Sequence, residues 1–186
     1  SIAITDSANL FGFLKFYKSV RSKGIKPIAG AEINHVRDSS SHNEHANLTL
    51  IAKNQLGYKN LIKLISKSQI VGKTSGIPVI ETEWLAEHSD GLIALSGGFR
   101  GHIGKAVLDT NHDLFLKRIK YFQKIFKEDF ILEISRINRP QEDLYNDYIL
   151  SKAGELGLPV VASNEVRFID KDDYEAHETR VCIQKG

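Results

Sequence analysis

The sequence contains no methionine and has a single cysteine, Cys182. One thiol cannot close an internal disulfide, so Cys182 fits a reducing compartment and is expected to act as a small buried apolar side chain. Long hydrophobic runs are also missing. Nothing approaches the ~20 apolar residues of a membrane-spanning helix, and the first residues lack the charged-then-apolar layout of a secretory leader. Membrane anchoring and secretion are excluded on that reading, and a cytoplasmic protein is expected. Charge of one sign is scarce: 25 Lys and Arg against 23 Asp and Glu leave a formal net charge of +2. With the basic residues spread along the chain, the footprint of an autonomous duplex-DNA binder is absent. Catalytic templates are missing too, with no GxSxG, GxxxxGK[ST], HExxH or post-strand GxGxxG. Gly97-Gly98 with Gly101 is too loose for a phosphate cradle and reads as a tight turn. No repeat, low-complexity tract or linker divides the chain, so residues 1–186 are expected to form one domain.

The 186 residues, 41% of them apolar, are enough to bury one sizeable core. Short apolar stretches at 2–5, 25–33, 47–52, 92–95, 130–134 and 158–162 predict strands, with Ser1 to Ile4 read as the interior of a buried one. Helical periodicity predicts helices near 10–20, 58–65, 81–87, 102–108, 113–126 and 141–156, the last closed by Gly157. VGKTSGIP (71–78) reads as a connection, and the polar stretch from His35 to Ala46 as a mobile loop. Alternating strands and helices predict an α/β domain with a largely parallel sheet, either a barrel or a doubly wound sheet. Its chemistry belongs at the carboxyl ends of the strands.

Residues just past those strands are Asp6, Glu32, Gly97-Gly98, Ser135-Arg136 and Asn164-Glu165-Val166-Arg167. With several histidines, carboxylates on one rim could hold cations that polarise a phosphate and activate water. The rim itself supplies no histidine. The competing structural reading makes Asp6 a helix cap and Glu32 and Glu165 ion-pair partners of Arg167 or of lysines. His35, His42 and His45 with Glu44 read as a solvated loop without tight ligand spacing. His88, His102 and His112 stand singly at helix ends, as caps or surface groups, and His177 lies beside Glu178 near the end of the chain.

Taken in order, several segments resemble one family closely. They are IAITD (2–6), NLFG (9–12), GIKPIAGAE (24–32), AKN (52–54), GYKNL (57–61), GLIALSG (91–97), LPVVASN (158–164), AHE (176–178) and CIQ (182–184). The pattern is similar to the PHP (polymerase and histidinol phosphatase) domain of bacterial replicative DNA polymerase III alpha subunits. The resemblance implies a distorted, TIM-like (βα)7 barrel. It also implies that this chain is a fragment, with a first strand and a His-x-His ligand pair upstream. The polymerase palm, its catalytic aspartates and their magnesium would lie downstream, so this segment needs no cofactor of its own and reaches DNA only through the rest of the alpha chain. The partner the family implies is the proofreading 3′–5′ exonuclease subunit.

Metal-binding relatives carry histidines where this chain has Ser7 and Asn47, an acidic residue where it has Glu32, and a cysteine where it has Gly98. They carry an aspartate and a histidine where it has Glu165 and Arg167. With Asp6, these are the vestigial metal-site positions, and no metal or catalytic residue is expected. Arg167 is expected to supply the positive charge a metal would supply, pairing with Glu32, Glu165 or Asp6. If that pairing is buried, removing Arg167 should cost about 3 to 5 kcal/mol. The implied role is a non-catalytic scaffold for the exonuclease subunit. The alternative is an active metal-dependent phosphoesterase or exonuclease built from Asp6, Glu32, Glu165 and upstream histidines.

Overall fold

A computed structural model of the protein describes residues 1–36, 45–74 and 76–185. Among the described residues, eight strands and seven α-helices follow one another. They are β1 (Ile2–Ser7), α1 (Phe13–Arg21), β2 (Pro27–Val36), β3 (Ala46–Ala52), α2 (Gln55–Ile70), β4 (Lys73–Thr74), β5 (Ile77–Glu81), α3 (Thr82–Glu87) and β6 (Leu92–Leu95). Then come α4 (His102–Leu108), α5 (His112–Phe126), β7 (Phe130–Ile134), α6 (Glu142–Leu156), β8 (Val160–Ala162) and α7 (Tyr174–Lys185).

The strands form one sheet in the order β4-β5-β2-β3-β6-β7-β8, with β1 also paired to β2. The same edge of β2 is shared in sequence, its first half pairing β1 and its last residues pairing β5. Pairing is parallel for β1–β2, β2–β5, β6–β7 and β7–β8, and antiparallel for β2–β3, β3–β6 and β4–β5. The sheet is thus more mixed than the expected parallel one, because β2 runs into β3 and β3 pairs antiparallel with β6. It curls far enough that β1 at one end and β8 at the other line the same cavity, giving a half-barrel with helices packed outside.

Local chemistry accounts for the element ends. Asn54 caps α2 by accepting from the Gly57 N–H at 3.0 Å, and Asn111 caps α5 by accepting from the Leu114 N–H at 2.9 Å. Gly157 closes α6 at φ +63°. The core lies between sheet and helices, where Leu48, Leu50, Leu61, Leu64, Phe115, Phe122, Phe130 and Tyr145 are essentially sealed from solvent.

Several local expectations change. β1 is not a buried strand: only Ile4 and Asp6 on it are half-buried, because among the described residues β2 alone pairs with it. The stretch read as a connection contains β4 and the start of β5, whose Val79 and Ile80 are buried. His35 is no loop residue. It ends β2 fully buried, its ring edge-on to His102 at 5.1 Å and close to Phe122 at 5.6 Å. His102 opens α4 but is also buried, with Nε2 3.0 Å from the His35 carbonyl. His42 and Glu44 lie outside the described residues, and the His45 carbonyl accepts from Lys105 Nζ at 2.8 Å. Cys182 is exposed rather than buried, since α7 leaves most of its faces to solvent.

One tight contact fixes α2 on the sheet. A Cβ at Gly57 would lie 1.8 Å from the Gly91 carbonyl oxygen, which also accepts from the Lys53 N–H at 2.9 Å. Gly57→Ala is expected to destabilise the protein by roughly 1–3 kcal/mol, since neither backbone segment can yield without losing these bonds. A chemical-denaturation midpoint equal to wild type would contradict this.

Candidate functional site

The curled sheet encloses a cavity of about 310 Å³ at the carboxyl ends of its parallel strands. Charged side chains reach it from five elements. Glu32 comes from β2, Glu133 from β7, Arg100 from the 3₁₀ turn after β6, Arg139 from the loop between β7 and α6, and Glu165 and Arg167 from the segment after β8.

Glu165 is the centre of this cluster. Its Oε2 accepts from Arg139 Nη2 at 2.8 Å, pairs closely with Arg100 Nη2, and lies 3.5 Å from Arg167 Nη2. Arg167 Nη2 is also 3.9 Å from Glu32 Oε2, while the Asn47 side-chain amide donates to Glu32 Oε1. Burial alone would raise the Glu165 carboxyl, but hydrogen bonds from Arg100 and Arg139 outweigh it and hold the group below the usual carboxylate range.

Glu133 behaves in the opposite way. It is 9% exposed, and burial pushes its carboxyl upward against the lowering effect of hydrogen bonds from Ser163 and the Gly97 N–H; the nearby charges of Glu32 and Glu165 add to the rise. Its backbone is pinned as well, with its N–H donating to Ser96 Oγ at 2.9 Å and its carbonyl accepting from Tyr145 Oη at 2.8 Å.

Of the residues singled out in the sequence, Glu32, Asn47, Gly98, Glu165 and Arg167 all line this cavity. Asp6 does not join the charge cluster. Its Oδ2 accepts from the Gly12 N–H at 3.2 Å, which orders the turn before α1, so among the described residues Arg167 pairs with Glu32 and Glu165. Ser7 is exposed at the end of β1, in register with Glu32. Gly98 has φ +53° and its missing Cβ would meet nothing nearer than the Glu133 carbonyl at 3.9 Å, so backbone conformation, not crowding, favours glycine there.

Sequence reasoning missed Arg100, Arg139 and Glu133, and named Arg136 where Arg139 does the pairing. Only Glu133 carried a usable signal, as the single charged residue in the otherwise apolar strand FILEI. The two arginines sit in a short 3₁₀ turn and a loop whose return to the cavity depends on the fold.

These residues do not fit a divalent cation. Three guanidinium groups surround the best-placed carboxylate oxygen, and permanent positive charge opposes a second cation there. Among the described residues, no three or more His, Cys, Asp or Glu side chains gather in an arrangement that could hold a metal ion.

The geometry also revises the weight placed on Arg167. Its side chain is 41% exposed and its contacts are long, so Arg167→Ala is expected to cost at most about 1 kcal/mol, well under the buried-pair figure. Glu165→Gln should cost more, because it leaves three guanidinium groups without their shared partner. With a lowered native pKa, the Glu165 contribution is complete above the usual carboxylate range and is lost as pH falls through the native value. Glu133, with a raised native pKa, costs stability as pH rises. Glu133→Gln should therefore match or exceed the wild-type melting temperature at neutral pH, and the difference should shrink on acidification. Melting curves of the three variants between pH 3 and 7 check this; a Glu133→Gln protein less stable than Glu165→Gln at pH 7 would contradict it.

Comparison with known proteins places the chain. The family model of the PHP domain matches residues 1–137. The DNA polymerase III alpha subunit of Vibrio cholerae is 44% identical over all 186 residues, that of Escherichia coli K12 42%, and that of Pseudomonas aeruginosa 38%. The chain spans 16% of the length of each of these relatives. Among solved structures, a provisionally assigned metal-dependent phosphoesterase from Bifidobacterium adolescentis superposes with a TM-score of 0.56, covering 97% of this chain and 85% of that one at 11% identity. That likeness bears on the fold alone and agrees with the distorted barrel. The chain belongs to the PHP domain family.

Proposed function

We propose that residues 1–186 are the PHP domain of a bacterial replicative DNA polymerase III alpha subunit, and that the domain is a non-catalytic cytoplasmic scaffold. In this reading it holds the proofreading 3′–5′ exonuclease subunit against the polymerase. DNA synthesis, with its magnesium, belongs to other parts of the alpha chain. The identities to alpha subunits along the whole chain support the parent protein.

One observation carries the non-catalytic part: Glu165 is clamped by Arg100 and Arg139, with Arg167 beside it, at the strand-end rim. Each guanidinium stays charged at any physiological pH, so the carboxylate cannot be released to bind a metal by a change in protonation. The phosphoesterase alternative needs Asp6, Glu32 and Glu165 as ligands. Asp6 is engaged by the Gly12 N–H and Glu32 by Asn47. A fold kept intact around an ion-paired cavity is explained by the surfaces it presents.

Two measurements test the proposal on the full-length alpha chain. The exonuclease subunit should co-purify with it and be lost when residues 1–186 are deleted; retention after that deletion would remove the scaffold role. Elemental analysis after exposure to zinc or manganese should find no stoichiometric metal that Glu32→Gln or Glu165→Gln releases. Finding such metal would replace the scaffold with the enzyme.

A further inference from the structure

Charge that nearly cancels over the whole chain does not cancel along it. From Ser7 to Ile80 there are eleven Lys or Arg against three Asp or Glu, and from Glu81 to Gly186 fourteen against nineteen. The even spread read from the total therefore conceals a basic first half. The fold gathers part of that half into one surface. Helices α1 and α2 meet through Phe13 and Tyr58, whose ring centroids are 5.7 Å apart, and neither helix contains an acidic residue.

Beside them lies a groove of about 840 Å³, lined by Phe13, Leu14, Tyr17, Pro27, Ile28 and Tyr58, with Lys26 and Lys53 also reaching it. Leu14 is 63% exposed and nearby Phe11 91%, an apolar surface of the kind that marks an interaction site when rimmed by charge. Lys53 is neutralised by Asp129 at 2.8 Å. Among the described residues, Lys18, Arg21, Lys26 and Lys59 have no carboxylate partner.

We propose that this α1–α2 groove docks an acidic amphipathic segment of a partner protein, its apolar side chains seated in the groove and its carboxylates on the surrounding lysines and Arg21. Apolar anchors supply affinity in such docking, and complementary charge supplies rate and specificity.

A protein segment fits better than single-stranded nucleic acid. Bases need open aromatic faces. Here Phe13 packs on Tyr17 and Tyr58 at 6.0 and 5.7 Å, while Arg21 covers the Tyr17 ring at 5.5 Å and donates to its hydroxyl. Leu14, Pro27, Ile28 and Ile51 add aliphatic lining that suits apolar side chains. The chemistry of this groove selects an acidic amphipathic segment whether or not the exonuclease subunit supplies it.

Panning a random-peptide phage library against the full-length protein tests it. Selected peptides should be rich in Asp and Glu, with Leu or Phe at helical spacing. Leu14→Glu and the double variant Arg21→Glu/Lys26→Glu should each weaken their binding about tenfold or more. Leu150→Glu, at a position 47% exposed on α6 and outside the groove, should leave binding unchanged. All these positions are exposed, so melting temperatures should stay near wild type, and the two groove variants check each other. The proposal is overturned if no peptide is selected, if the selected peptides lack net negative charge, or if they bind both groove variants as tightly as wild type. It is equally overturned if labelled oligothymidylate binds the wild type and loses binding to the same variants, since nucleic acid would then be the occupant.

Discussion

One carboxylate oxygen holds the mouth of this half-barrel together. Glu165 Oε2 draws in Arg100, Arg139 and Arg167, and so ties the turn after β6, the loop after β7 and the segment after β8 to a single point. Three guanidinium groups this close repel one another, so the arrangement persists only because Glu165, and at longer range Glu32, supply negative charge between them. Burial acts on both Glu133 and Glu165, but only Glu165 is hydrogen-bonded by guanidinium groups that outweigh it, which is why the two carboxyls at one cavity are shifted in opposite directions.

A metal ion performs similar work in a metal-binding barrel, where ligands from several strand ends converge on one positive centre. Here the positive charge is covalent, distributed and permanent. The consequence is chemical as well as structural. A metal polarises substrate and acidifies water; a guanidinium engaged with a carboxylate does neither, though here it ties together the segments that carry it. The family resemblance pointed to the change through Ser7, Asn47, Gly98 and Arg167, but assigned to Arg167 alone a task that Arg100 and Arg139 perform at shorter range.

The histidines show a second way in which position along the chain misleads. His35 adjoins a polar, unpatterned run, and His102 begins a helix, the usual marks of solvated imidazole. Both are buried against each other and Phe122 because β2 continues further than its apolar pattern indicates and α4 packs across its end. Periodicity registers which side chains repeat on a face, but not whether another element comes to cover that face. The same limit explains β1, apolar yet largely exposed, and Cys182, apolar in character yet on the surface.

By itself the sequence determined the alternation of strands and helices, several element boundaries to the residue, and the family. Those features rest on local spacing, capping side chains and ordered motifs, such as β6, α4 and β7, whose ranges agree with the apolar pattern. Only the tertiary structure decided the antiparallel turn of the sheet at β3, the burial of His35 and His102, the arginines that meet at Glu165 and the gathering of basic residues along α1 and α2. Each depends on segments far apart in the chain becoming neighbours, and charge acts across space rather than along the sequence.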